Sequence, residues 1–188
     1  MVALATGLKY PDRCTSIITI NTSIAGQRTF RMTAEGLWAI VSGLVGNKSK
    51  LHRNLADVLT THRLSSAQKA KVAEELEKIA ATDGLYVLTT LKQLILASRF
   101  SVKHHLVGLT MPVLLIYGSD DRFVPHINTR KLKSLIPHAQ LLSIPDAGHE
   151  IMLDQPEALQ AAISDWIDDH HAHTFRTMSA QHAQSRQR

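Results

Sequence analysis

The stretch Pro112-Val113-Leu114-Leu115-Ile116-Tyr117-Gly118-Ser119-Asp120-Asp121-Arg122-Phe123-Val124-Pro125 decides the fold. Its apolar run, Val113 to Tyr117, is long enough for one buried strand, yet too short for periodicity to separate strand from helix. The ending arbitrates: Gly118-Ser119-Asp120-Asp121 followed by Val124-Pro125 is turn chemistry at the carboxyl end of a strand. A second apolar run, Gln140 to Ile144, stops at Pro145-Asp146-Ala147-Gly148-His149. Between the two lies Ile127 to Ile136, of helical length and bounded by prolines. The pattern predicts strand, helix, strand, the unit of a parallel sheet. Both polar clusters, around Asp121 and around His149, then fall at the same carboxyl edge, where open α/β sheets hold their sites.

Composition sets the frame for that unit. A chain of 188 residues with 44% hydrophobic content suits one globular domain with a sizeable core. No apolar stretch approaches the roughly 18 residues needed to span a bilayer. The amino terminus has no charged region before its short apolar part, which makes it a poor signal peptide. The single cysteine, Cys14, forms no internal disulfide and fits a reducing compartment, so a cytoplasmic location is expected. The net charge of +5 is spread over scattered Lys and Arg, without the clustering or motif that a nucleic-acid partner would require.

The two loops resemble a known family. Residues 112–125 are similar to the acid-bearing loop of the α/β-hydrolases, and Asp146-Ala147-Gly148-His149 is similar to their catalytic histidine loop. In that family the nucleophile sits on a sharp strand–turn–helix elbow, G-x-S-x-G, and the triad runs nucleophile, acid, histidine along the chain. The resemblance implies that Asp121 and His149 are the second and third members. No G-x-S-x-G occurs in the 188 residues. Family spacing, Gly-x-x-Asp-x-x-Val-Pro, selects Asp121 as the acid. Asp120 is the alternative, and its other reading is a turn-forming side chain bonded to its own backbone. Asp146 reads as loop structure and Asp154 as a helix cap.

Taken in order, residues 1–10 read as a helix without a cap residue ahead of it, closed by the turn Tyr10-Pro11-Asp12-Arg13. Ser16 to Asn21 is β-branched and predicts a strand. The family's elbow helix ends in a similar Tyr-Pro-x-Arg turn. By that comparison Met1 falls just after the elbow's last glycine, and the chain corresponds to about the last 60% of a family domain. With no elbow strand beside it, Ser16 to Asn21 is expected to be an open edge prone to self-association.

Residues 24–106 read as inserted helices: Ala34 to Val45, Leu51 to Leu64, a helix begun by the capping box Ser65-Ser66-Ala67-Gln68 and ended at Asp83-Gly84, and Leu85 to Ser98. Helices inserted at this point resemble the family's cap; a plain helical layer predicts the same pattern. Residues 107–172 form the carboxyl-terminal α/β core, ending in a helix that starts at Asp154-Gln155-Pro156-Glu157 and is expected to pack on the sheet. From His173 onward the chain is polar and aperiodic, and disorder is expected.

The expected fold is thus α/β: the carboxyl-terminal strands of a parallel sheet with flanking helices plus a helical cap. The resemblance implies hydrolysis of an ester, lactone or similar acyl bond of a small apolar substrate, with His149 as base and Asp121 orienting it. It calls for no cofactor. Leu37 and Trp38 are candidates for an apolar acyl pocket, although helix packing predicts the same stripe. His170, His171 and His173 are crowded but have poor metal spacing. Ser23, Ser42 and Ser119 lie outside any elbow, so these residues supply no nucleophile. Acyl-enzyme formation is therefore not expected of this chain alone, and a non-catalytic, partner-binding role is the alternative.

Overall fold

A computed structural model describes residues 1–23, 32–45, 48–83 and 99–185, with isolated helical positions at 89, 92–93 and 95–96. The chain divides into two compact units, Met1–Gln155 and Pro156–Arg188. The first holds a three-stranded parallel sheet in the order β1 (Ile17–Ile20), β2 (Val113–Gly118), β3 (Gln140–Ile144). Ile17 pairs with Val113, and Gly118 with Ile144, so all three strands run toward one edge.

The central strand explains its own sequence. Every residue of β2 is buried, as expected of a parallel strand covered on both faces and therefore apolar without alternation. Val113 and Leu115 enter a core with Leu4 of α1 (Val2–Lys9), Leu106 and Leu109 from the 3-10 turn at Lys103–Gly108 and its end, and Leu132 and Ile136 from the crossover. Cys14 packs half-buried against this cluster.

Between β1 and β2 lie α2 (Ala34–Val45), α3 (Lys48–Leu59) and α4 (Ser66–Asp83), with α3 packed against both of the others. The capping box forms as expected: Gln68 Oε1 accepts the Ser65 N–H at 2.9 Å, and Ser65 Oγ accepts from the Gln68 N–H at 3.3 Å. Helix α3 stops at Leu59, five residues short of the predicted Leu64. The β-branched pair Thr60-Thr61 ends it, with Thr60 Oγ1 donating back to the Ala56 carbonyl at 2.6 Å. The helix expected over Leu85 to Ser98 lies largely outside the described residues.

Helix α5 (Ile127–Leu135) crosses from β2 to β3, and a short α6 (Ile151–Asp154) follows the histidine loop. The second unit is one helix, α7 (Pro156–Ser185). It continues through 173–185, where the sequence pattern predicts disorder. No Pro or Gly interrupts the chain after Pro156, and its Ala, Gln, Met and Arg are good helix formers. No helix among the described residues is long and apolar enough to cross a membrane.

Candidate active site

Three strand ends converge to build the site. At the end of β2, Asp120 and Asp121 lie in a tight turn in which the Asp121 N–H approaches the Gly118 carbonyl at 3.4 Å. The Asp121 side chain is 1% exposed. Its Oδ1 accepts the backbone N–H groups of Phe123 at 2.8 Å and Val124 at 2.7 Å. Its Oδ2 lies 2.9 Å from Nδ1 of His149. Every oxygen of this buried carboxylate is therefore satisfied, and the imidazole is held in the orientation in which Nδ1 faces the acid. Phe123 packs on the His149 ring with centroids 4.9 Å apart.

The remaining nitrogen, Nε2, is the one left to exchange a proton with a reacting group. A base oriented through Nδ1 by a buried acid can take a proton through Nε2 and later return it. Asp121 and His149, 28 positions apart, are brought together in that arrangement. Asp120, the alternative acid, points elsewhere: its Oδ2 accepts from Thr61 Oγ1 at 3.0 Å and lies 3.3 Å from His62 Nδ1.

The histidine loop is held close to the strand it follows in space. A Cβ on Gly118 would stand 2.3 Å from the carbonyl oxygens of both Ala147 and Gly148, so only glycine admits the approach. Asp146 takes a positive φ of 55° and pairs with Arg63 at 2.7 Å, consistent with its reading as loop structure.

Two residues that sequence reasoning missed complete the frame. Asn21, at the end of β1, is buried with φ of 47°. Its Oδ1 accepts the Gly118 N–H at 2.9 Å, while its Nδ2 donates to the carbonyls of Gly148 at 3.1 Å and His149 at 2.5 Å. An Asn at a strand end is one of the few residues that tolerate the left-handed conformation, and that is the only local signal it gave. Asp154 is not the helix cap expected. Its Oδ2 accepts the N–H groups of Gly148 at 2.7 Å and Thr61 at 2.9 Å, and its Oδ1 is buried without a partner. Burial is the largest influence on its carboxyl and raises it above the ordinary range, against those two amides.

The helices between β1 and β2 also touch the acid loop. Thr33 caps α2 by accepting the Gly36 N–H at 2.9 Å, and its own N–H donates to the Phe123 carbonyl at 3.1 Å. The Arg122 guanidinium donates to the Asp57 backbone carbonyl and lies 3.4 Å from the Asp57 carboxylate. Trp38 lines a cavity of about 190 Å³ with Ala39 and Val58 as well as Glu35, Asn54, Asp57 and Arg122. Leu37 stands half exposed beside it in sequence.

The other candidate groups are dispersed. Ser119 Oγ accepts the Asp146 N–H at 3.0 Å, and Ser42 Oγ accepts from Asn54 Nδ2 at 2.9 Å; both serve the scaffold. His104 and His105 are exposed on the 3-10 turn. His170 Nδ1 lies 2.7 Å from the Trp166 carbonyl, within α7. Among the described residues no group of His, Cys, Asp and Glu is arranged to hold a metal.

An acid followed by a histidine, on the loops after consecutive strands of a parallel sheet, is the chain order of the last two triad members in one class of hydrolytic folds. A family model for the alpha/beta hydrolase fold matches residues 1–156, and the chain belongs to that family. It is 26% identical to RutD of Caulobacter sp. (strain K31), a protein named as a carbamate hydrolase, over 87% of the chain and 60% of that protein. It is 25% identical to the pimeloyl-[acyl-carrier protein] methyl ester esterase of Yersinia enterocolitica, over 88% of the chain and 65% of the esterase. Among solved structures it resembles MGS-M2, an alpha/beta hydrolase enzyme from a Medee basin deep-sea metagenome library. There the TM-score is 0.73 at 18% identity, over 89% of the chain and 61% of that protein. The chain thus spans 60–65% of the length of these relatives, less than two-thirds of each.

Proposed function

We propose that this chain carries the acid–base half of a serine-type hydrolase acting on an ester, lactone or related acyl bond. His149 serves as general base and then acid, and Asp121 orients it. The observation that carries the reading is the 2.9 Å contact between His149 Nδ1 and a carboxylate whose other oxygen is held by two backbone amides. Relatives named for carbamate and methyl ester hydrolysis support the same bond class. The helices from α2 to α4 take the part of a cap, and Leu37 and Trp38 on α2 are its candidate pocket residues. A single cysteine is in keeping with a reducing, cytoplasmic setting.

The 188 residues contain no G-x-S-x-G, so an acyl-enzyme needs a nucleophile and an oxyanion hole that these residues do not supply. Sequencing the native transcript upstream of the Met1 codon is the decisive experiment. An in-frame G-x-S-x-G immediately before that codon gives Asp121 and His149 their triad partner. A transcript with no such elbow sinks the hydrolase reading for this product.

One observation favours a second reading, a non-catalytic chain that binds through its sheet. Within the described residues β1 pairs only with β2, which leaves the outer edge of Ser16 to Asn21 open to another strand.

A further inference from the structure

Resting on the Asp121–His149 reading above, we infer that Asp154 is a positioning residue for that pair, holding the backbone beside His149 against the Thr60–Thr61 turn. The Asp121 contact fixes only the tip of the imidazole. Where the ring stands also depends on the His149 backbone, and that backbone is gripped from the far side by the segment that ends α3.

Four contacts make the grip. Asp154 Oδ2 takes the Gly148 N–H at 2.7 Å and the Thr61 N–H at 2.9 Å on one oxygen. The Glu150 N–H donates to the Leu59 carbonyl at 2.8 Å. Gly148 lies so close to the turn that a Cβ there would stand 2.7 Å from the Thr60 carbonyl carbon and 2.9 Å from the Thr61 nitrogen. The residues on both sides of His149 are therefore attached to the same three-residue turn. Thr61 also donates through its hydroxyl to Asp120, next to the acid, at 3.0 Å. One turn thus sets the spacing of the acid loop and the histidine loop together.

The chemistry of Asp154 argues for more than a staple. Its second oxygen, Oδ1, is buried with no partner, an arrangement that costs desolvation and gives no hydrogen bond in return. A helix cap at this place would be served as well by Ser or Asn. What the carboxylate adds is two charge-assisted bonds from a single atom, shorter and stiffer than neutral ones. Stiffness is what a base needs when a small displacement removes it from its reacting proton.

The test uses nuclear magnetic resonance on the whole 188-residue chain. The ¹⁵N shifts of the neutral His149 ring report whether Nδ1 carries the proton, and amide exchange reports the grip. In Asp154→Ala, exchange at Gly148 and Thr61 should rise roughly tenfold or more, the effect of losing a bond to a charged acceptor. The Nδ1–H tautomer of His149 should lose population, while β2 amides from Leu114 to Ile116 change far less. Asp154→Asn, whose carbonyl accepts both amides without charge assistance, should restore the tautomer in part. Asp154→Ser, too short to reach both, should fall between and serves if the alanine variant does not fold. A tautomer unchanged in Asp154→Ala and Asp154→Ser, or β2 amides accelerated by the same factor as Gly148, overturns the inference. Absence of the Nδ1–H tautomer in the unaltered chain overturns the Asp121–His149 pairing itself, and that failure is visible without any variant.

Discussion

Asn21 and His149 stand 128 positions apart in the chain, yet the Asn21 side-chain amide donates to the His149 carbonyl at 2.5 Å. The same side chain accepts from Gly118 and donates to Gly148, so one amide locks the end of β1 to the start of the acid loop and to the histidine loop. Gly118 and Gly148 are buried and His149 is half-buried, and removing the amide leaves one donor and two acceptors unpaired. Asn21→Ala should therefore destabilise the chain by about 3 kcal/mol, combining unsatisfied groups with a left-handed φ that alanine resists. Asn21→Gly should cost less than Asn21→Ala because the φ penalty disappears. Urea unfolding with an unchanged m-value measures both, and an alanine cost below about 1 kcal/mol would contradict the bridge.

Gly118 faces a stricter constraint. Its missing side chain is replaced by two carbonyl oxygens, those of Ala147 and Gly148, and backbone cannot rotate away as a flexible side chain can. Gly118→Ala should cost about 2–3 kcal/mol, in the range of overpacked cores. The strain should be relieved by outward movement of residues 146–149, lengthening the His149–Asp121 contact. Chemical-shift changes confined to helix α4 rather than the histidine loop would count against this.

Legibility followed the range of the interaction. The β2–α5–β3 unit was readable because apolar run length, turn residues and flanking prolines are all local. The contact between Asp121 and His149 was foreseeable because the resemblance to the family's two short loops marks both residues. Asn21 and Thr61 were not, because their partners lie 127 and 93 positions away and nothing near them in sequence differs from an ordinary strand end or helix end. Asp154 was misread for a physical reason. Asp-Gln-Pro-Glu is a good helix start, and it does precede α7, but the carboxylate turns back to the stronger demand of two inward-facing amides.

Two carboxylates should shape acid stability in opposite directions on either side of 3.8. Burial raises Asp154 above that value, so its folded state binds the proton more tightly than the unfolded state. Its contribution is fully present below 3.8 and is lost as pH rises through the raised value. Asp154→Asn lacks this loss, so the stability of that variant relative to the unaltered chain should rise with pH across the window above 3.8 and then level. For Asp57, burial pushes the carboxyl up, but hydrogen bonds from Lys69 and Arg122 outweigh it and hold the carboxyl below 3.8. Its contribution is present above 3.8 and lost as pH falls through the lowered value. Asp57→Asn should therefore change stability by an amount that shrinks only below 3.8. Asp57 is half exposed, so this second effect should be small and weaken with salt. Denaturant midpoints between pH 3 and 7 check both; parallel curves for all three proteins would refute the assignment.

Among the described residues the outer edge of β1 is unpaired, which leads to a prediction about association. The N–H groups of Ile17 and Asn21 donate to the carbonyls of Pro112, just before β2, and of Ile116 on β2. With a period of two along the strand, the peptide groups of Ile18 and Ile20 face outward. A strand from a second copy can add there through main-chain bonds alone, whatever its side chains. Sedimentation velocity should then show a concentration-dependent dimer or larger species. Ile18→Pro removes an outward N–H without touching the bonds to β2, a position where sheets tolerate proline. That variant should sediment as a monomer, with its thermal midpoint lowered by no more than about 5 °C. An unaltered chain that stays monomeric at every concentration would remove the edge from consideration as an interface. A proline variant that still associates would move the interface elsewhere, with the exposed α2 face at Leu37, Trp38 and Val41 the next surface to substitute.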